Sequence, residues 1–252
     1  MDDPRGRLIV ALDVPTLAEA TELGRRLSPY LAAVKIGSQL FTAEGPRAVH
    51  ALRDLGLRVF LDLKFHDIPN TVAGAVAAAK RLSVWMVNVH TSGGSAMLRA
   101  AAEAAAKGGV PDSRPLVLGV TVLTSLEESD FRAAFGTTRT LGEQVQYLAR
   151  EARSAGLDGV VASPQEITDI RRTCGASFLI VTPGVRPAQA DRGDQRRVLT
   201  PGEAIRAGAD YVVVGRPILA AKDPVEAAQR IAEECGAARA GSTQGVPEPR
   251  AE

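Results

Sequence analysis

Three charged side chains fall within six positions of the stretch Asp62-Leu-Lys64-Phe-His66-Asp67-Ile68-Pro69-Asn70-Thr71. The run before it, Leu57-Arg-Val-Phe-Leu61, is rich in β-branched and aromatic residues and reads as a strand. Alternate residues of a strand share a face, so Asp62 and Lys64 at its end point the same way. Pro69 suits the first position of a following helix, with Asn70 and Thr71 in its first turn. Charges of both signs thus meet at a strand-to-helix junction, and burying them requires mutual pairing. A solvated turn with a salt bridge would use the same residues, and the stretch alone does not separate the two readings.

As a site, the cluster has a definite chemistry. Lys35 ends the preceding apolar run, so neighbouring strands bring Lys35, Asp62 and Lys64 together, with Asp67 following in the loop. A lysine ammonium held among carboxylates can act as a general acid. Asp62 can stand against a carboxylate of the substrate.

A second set of signals concerns phosphate. Thr182-Pro183-Gly-Val-Arg186 and Gly215-Arg216-Pro-Ile218 supply glycines, backbone N–H groups and arginines to two late loops. The segment from Arg186 to Thr200 carries Gly193-Asp-Gln195, and a loop of that length in a compact domain suits a lid, with Gln195 as a clamp. The bland alternative is tight turns and a surface arginine.

The histidines offer less. His50 lies in a helical stretch and reads as a surface residue, His90 ends an apolar run, and His66 is open between base and structural roles. None has metal-ligand spacing, so the expectation is no metal site. No serine or cysteine stands in a nucleophile motif. No cofactor fingerprint was found, and a Gly-rich dinucleotide turn is missing after the first apolar run, which ends in Asp13-Val-Pro15.

Positioning such groups falls to an alternating chain. Apolar runs recur at Leu8–Leu12, Ala33–Ile36, Arg58–Leu61, Val84–Val89, Leu116–Val122, Gly159–Val161, Phe178–Val181 and Tyr211–Val214. Stretches of helical spacing lie between them, including Leu17–Leu27, Ala43–Leu55, Thr71–Leu82, Ser95–Lys107, Leu141–Ala155 and Gln165–Thr173. Strands apolar on both faces and alternating with helices argue for a parallel sheet, and eight such units predict an α/β single-domain (β/α)8 TIM barrel. Nearly every run finishes on a polar residue or a glycine: Asp13, Lys35, Asp62, His90, Thr124, Ser163, Arg186, Gly215. Active sites of such barrels sit at those strand ends. Residues 1–236 are expected to form the barrel and residues 237–252 a disordered tail.

Composition narrows the function class. A net charge of +1 gives no footprint for nucleic acid or membrane. The two cysteines, Cys174 and Cys235, suggest neither a disulfide framework nor a zinc knuckle. No signal-peptide pattern or membrane-length apolar run is seen, so a cytoplasmic protein is expected.

From about Leu8 to about Glu234 the sequence resembles the orotidine 5′-phosphate decarboxylase family. The matching motifs are Val10-Ala-Leu-Asp13, Val34-Lys-Ile-Gly37, the stretch Asp62–Thr71, Met86-Val-Asn-Val-His90, Thr121-Val-Leu-Thr124, Thr182-Pro-Gly-Val-Arg186, Gly193-Asp-Gln195 and Val214-Gly-Arg-Pro-Ile218. Trp85, where a small or acidic residue is commoner, departs from the pattern. The resemblance implies decarboxylation of orotidine 5′-monophosphate to UMP without metal or cofactor. It implies that Lys35, Asp62, Lys64 and Asp67 form the charged network, with Lys64 protonating a C6 carbanion. Asp13 and Lys35 would hold the ribose and Thr124 the pyrimidine. Pro183, Arg186, Gln195, Gly215 and Arg216 would line the phosphate side. Asp67, Ile68 and Thr71 would reach into the site of a partner subunit, making the functional unit a homodimer.

Two rivals remain at this level. Related sugar-phosphate decarboxylases and aldolases share the barrel and the Asp-x-Lys-x-x-Asp pattern but use Mg²⁺. A non-catalytic binder of nucleotide phosphates on the same scaffold is the other. The Asp-Ile-Pro-Asn-Thr continuation and the Gly-Asp-Gln loop favour the decarboxylase.

Overall fold

The eight apolar runs become eight parallel strands that close on themselves in sequence order, β1 next to β2 and so on around to β8 beside β1. The computed structural model describes residues 6–108, 114–187 and 199–242. The strands are β1 (Leu8–Ala11), β2 (Ala33–Gly37), β3 (Val59–Phe65), β4 (Met86–His90), β5 (Leu116–Val120), β6 (Gly159–Val161), β7 (Leu179–Pro183) and β8 (Tyr211–Val214). Helices α1 (Leu17–Leu27), α2 (Ser38–Glu44), α3 (Pro46–Asp54), α4 (Pro69–Arg81), α5 (Gly94–Ala106), α6 (Glu128–Phe135), α7 (Leu141–Ser154), α8 (Ile167–Cys174), α9 (Pro201–Ala207), α10 (Arg216–Leu219) and α11 (Pro224–Ser242) fill the connections. The expected (β/α)8 barrel is therefore the fold.

Local chemistry sets the helix boundaries. Thr140 and Glu143 form a reciprocal capping box at the start of α7, and Thr200 and Glu203 do the same for α9. Pro69 opens α4 at a position where no N–H is needed. The stretch expected as one helix over Ala43–Leu55 is two, because Gly45 adopts φ 59° and ψ −148° and Pro46 restarts the chain as α3. At the C-terminus α11 continues through Ser242, so residues 237–242 extend the last helix rather than beginning a tail. Residues 243–252 lie outside the described residues.

Strand alternation divides the barrel into two apolar faces. Leu8, Val10, Leu12, Val34 and Ile36 belong to the cluster packed under the helices. Ile9, Ala11, Ala33, Phe60, Met86, Leu118, Val181 and Val213 fill the interior. Below them, toward the N-terminal ends, Trp85 meets Tyr211 edge to face at 5.2 Å, with the Arg58 guanidinium 4.0 Å over the indole. The unusual Trp85 thus closes the floor of the barrel, the end associated with stability.

Two steps up each strand lies the next inward position. After Ala11, Ala33, Phe60, Met86, Val181 and Val213 these are Asp13, Lys35, Asp62, Asn88, Pro183 and Gly215. On the first four strands the interior changes from apolar to polar within one layer, whereas β5 stays apolar at Val120. That layer is the candidate site.

Candidate active site

A line of alternating charge crosses the strand ends. Asp13 Oδ1 accepts a hydrogen bond from Lys35 Nζ at 3.1 Å. Lys35 Nζ lies 3.2 Å from Asp62 Oδ2, and Lys64 Nζ donates to Asp62 Oδ1 at 2.7 Å. Lys35 and Asp62 are each only 9% exposed, so each depends on its partners to offset lost hydration. Burial alone would raise the Asp62 carboxyl; the two lysines and two hydrogen bonds outweigh it and hold the group below its ordinary range.

The backbone makes room for this line. A Cβ on Gly37 would fall 2.9 Å from Lys35 Nζ and 3.0 Å from Asp13 Oδ1, so only glycine leaves space for that pair. Gly215, at the end of β8, lies alongside β1: a Cβ there would be 3.4 Å from Ala11 Cβ and 3.8 Å from Asp13 Oδ2. Closure of the barrel therefore brings the last loop against the first charged residue.

β3 carries Asp62 and Lys64 at its C-terminal end, as expected, and runs on to Phe65, but it does so irregularly. Leu61 pairs with Val87 and Phe65 with Val89, so Asp62, Leu63 and Lys64 stand opposite the single residue Asn88. Such a bulge re-aims side chains. Lys64 has φ 52°, a left-handed conformation that costs a non-glycine residue about 1 kcal/mol or more. The strain sits at the residue with the most reactive assignment.

The other expected site residues fall into three groups. Pro183 ends β7, and beyond Gly184 (φ 79°) the Arg186 N–H donates to Leu199 O at 3.1 Å. Gly215 and Arg216 follow β8, with Arg216 exposed, and Thr124 is exposed in the loop after β5. These line the same end of the barrel as the charged line. His66, Asp67, Ile68, Pro69, Asn70 and Thr71 form an unbroken exposed run, with Ile68 67% exposed. Within one chain Asp67 does not join the line, contrary to the contiguous cluster its spacing suggested; its Oδ1 accepts from the Ile68 N–H at 2.6 Å. The loop turns it outward. Gln195 lies outside the described residues.

The histidines separate as well. His50 is exposed on α3, as expected. His66 and His90 face each other with ring centroids 5.5 Å apart. Burial, then the charges of His66 and Lys64, lower the His90 imidazole below its ordinary range despite the opposing pull of Asp62. Among the described residues no three His, Cys, Asp or Glu side chains are grouped to hold a metal ion.

One participant escaped the sequence reading as a site residue. Asn88 is fully buried, donates from Nδ2 to Asp62 Oδ1 at 2.6 Å and accepts the Lys64 N–H on Oδ1 at 2.8 Å. Its polarity was the available signal: a polar residue between apolar neighbours in Met86-Val-Asn-Val-His90.

The chain matches the family model described as Orotidine 5′-phosphate decarboxylase / HUMPS family over residues 6–231. It is 58% identical over 232 residues to the orotidine 5′-phosphate decarboxylase of Moorella thermoacetica, covering 91% of this chain and 92% of that protein. Identity to the enzyme of the same name from Syntrophotalea carbinolica is 56% over 238 residues, 94% of this chain and 97% of the relative. Among solved structures, the orotidine 5′-phosphate decarboxylase of Lactobacillus acidophilus superposes with a TM-score of 0.81 at 37% identity, covering 91% of this chain and 99% of that one. An uncharacterized conserved protein from Geobacillus kaustophilus gives 0.77 at 39% identity, with 90% and 99% covered. On the extent of the family match and these identities, the chain belongs to the orotidine 5′-phosphate decarboxylase / HUMPS family.

Proposed function

We propose that this chain is a carboxy-lyase that converts orotidine 5′-monophosphate to UMP, and that the Lys35–Asp62–Lys64 line does the chemistry. The observation carrying this reading is a carboxylate gripped by two ammonium groups at 3.2 and 2.7 Å at the open end of the barrel. A site for anion binding alone gains nothing from a buried carboxylate, whereas a decarboxylase can use one. Placed against the substrate carboxylate, Asp62 disfavours the ground state, and the repulsion is relieved as CO₂ leaves. The C6–carboxylate bond breaks, its electron pair stays on C6, and Lys64 Nζ both stabilises that charge and delivers the proton. Solvent returns the proton to Lys64.

Binding divides along the rim. Asp13 and Lys35 serve the ribose hydroxyls, and Thr124 serves the pyrimidine. Pro183, Arg186, Gly215 and Arg216 serve the phosphate, with Gln195 closing over it. Contacts to the remote phosphate can be used to organise the reacting end. The exposed run Asp67–Thr71 suits a role in the site of a second copy, with Asp67, Ile68 and Thr71 contributed across a twofold homodimer. No metal or cofactor takes part in this reading, because Asp62 already has an ammonium on each oxygen. Among the described residues no helix is long and apolar enough to cross a membrane. A cytoplasmic location fits a nucleotide substrate.

The test is to incubate the protein with orotidine 5′-monophosphate in D₂O and follow the products by NMR. The expected result is UMP deuterated at C6 with an equimolar release of CO₂. Unchanged substrate would refute the assignment.

A further inference from the structure

We propose that Asn88 is the positioning residue of the site, a buried peg that fixes Asp62 and Lys64 in their working geometry from the neighbouring strand. The inference rests on the decarboxylase reading above, since it assigns Asn88 a part in the same site. Three residues of β3 stand opposite this one residue of β4, so the ordinary ladder of the pair is interrupted where the reactive groups lie. The Asn88 side chain fills that gap. Its Oδ1 accepts the N–H of Lys64, the residue with φ 52°, and its Nδ2 donates to the Asp62 oxygen that also receives Lys64 Nζ. Only one orientation of the amide satisfies both bonds, because an N–H donor and a carboxylate acceptor flank it.

Each bond has a separate consequence. The bond to Lys64 N supports a left-handed backbone that would otherwise relax and swing the ammonium away. The bond to Asp62 fixes the carboxylate rotamer between its two lysines. Asn88 is completely buried, so its amide finds no replacement partner in solvent if either bond is lost. An isosteric aspartate keeps the acceptor and loses the donor, setting two carboxylates against each other. The groups facing Asp62 are Lys35 from β2, Lys64 from its own strand and His90 from β4. Asp13 stands behind Lys35, and His66 stands behind His90.

The experiment compares wild type, Asn88→Ala and Asn88→Asp in three readouts: steady-state turnover, UMP affinity, and the ¹³C titration of the Asp62 carboxyl. Loss of a hydrogen bond to a charged group predicts kcat lower by about 10- to 100-fold in Asn88→Ala. UMP affinity should hold, because the phosphate loops are untouched. The Asp62 titration, and with it the acid limb of kcat/KM, should move to higher pH in Asn88→Ala and further in Asn88→Asp. The titration needs no turnover, so it reports on Asn88 even if the substrate assignment fails; absence of turnover in wild type would instead count against that assignment alone. Wild-type kcat in a folded Asn88→Ala or Asn88→Asp protein, an unmoved Asp62 titration, or a parallel loss of kcat and UMP affinity would each overturn the inference. Should Asn88→Ala not fold, Asn88→Asp carries the same three readouts.

Discussion

Lys64 Nζ reaches Asp62 Oδ1 at 2.7 Å from only two residues along the same strand, across a bulge in which Lys64 itself is left-handed. Regular strand geometry already puts residues i and i+2 on one face. The bulge changes how the lysine leaves the sheet, so the ammonium stands beside the carboxylate rather than parallel to it.

Gly37 should be intolerant of even one methyl group. Gly37→Ala places a Cβ within 3.0 Å of both Lys35 Nζ and Asp13 Oδ1. The backbone there (φ −94°, ψ −175°) accepts any residue, so folding should persist with a stability change below about 1 kcal/mol. The lysine must swing aside, and kcat/KM should fall by at least about tenfold, the equivalent of one charge-assisted hydrogen bond. Parallel denaturant curves and turnover assays check this. Unchanged kcat/KM would mean that the Lys35–Asp13 pair has no part in function.

Glu166 gives a pH signature independent of the active site. Burial pushes its carboxyl up to about 7 from 4.5, against the opposing hydrogen bond from the Ser163 N–H. Between those values the native state holds a proton that the unfolded state has released. This contribution to stability is complete below pH 4.5 and is lost as pH rises through about 7. Glu166→Gln removes the titration while keeping an acceptor for Ser163. Its stability relative to wild type should therefore rise across that window, by up to about 3 kcal/mol. Urea unfolding at several pH values is the check, and a constant difference would contradict it.

Much of this was legible in the sequence because two simple periods carry it. Runs apolar on both faces mark all eight strands, and their polar ends mark the rim, so Asp13, Lys35, Asp62 and Lys64 stand out from the sequence itself. What escaped depends on contacts between strands. A pattern with period two cannot announce a bulge, so the irregular pairing from Asp62 to Lys64 stayed hidden and Asn88 had no visible task. Spacing likewise made Asp67 look contiguous with Lys64, but Pro69 starts α4 and the turn before it faces Asp67 outward. The break at Gly45-Pro46 was hidden by helix-forming neighbours on both sides.

The outward turn of Asp67 makes a complementation experiment decisive for the shared site. Lys64→Ala and Asp67→Ala chains should each be nearly inactive alone. Mixed and re-equilibrated in equal amounts, half the dimers pair one of each, and one of their two sites is intact. Activity should then return to roughly a quarter of wild type if sites are shared across a twofold dimer. No recovery, with hybrid dimers demonstrated by mass, would assign Asp67 to its own chain or to no site.

The central claim is that Lys64, poised by Asp62, protonates C6 in a metal-free decarboxylation. It is tested most directly by the fall in orotidine 5′-monophosphate absorbance with EDTA present, for wild type and Lys64→Ala side by side. The account predicts full wild-type turnover with the chelator. It also predicts a loss of about 100-fold or more in kcat for Lys64→Ala, the range expected for a missing proton donor, with UMP binding retained. Turnover that requires added Mg²⁺, or a Lys64→Ala protein with near wild-type kcat, would contradict it.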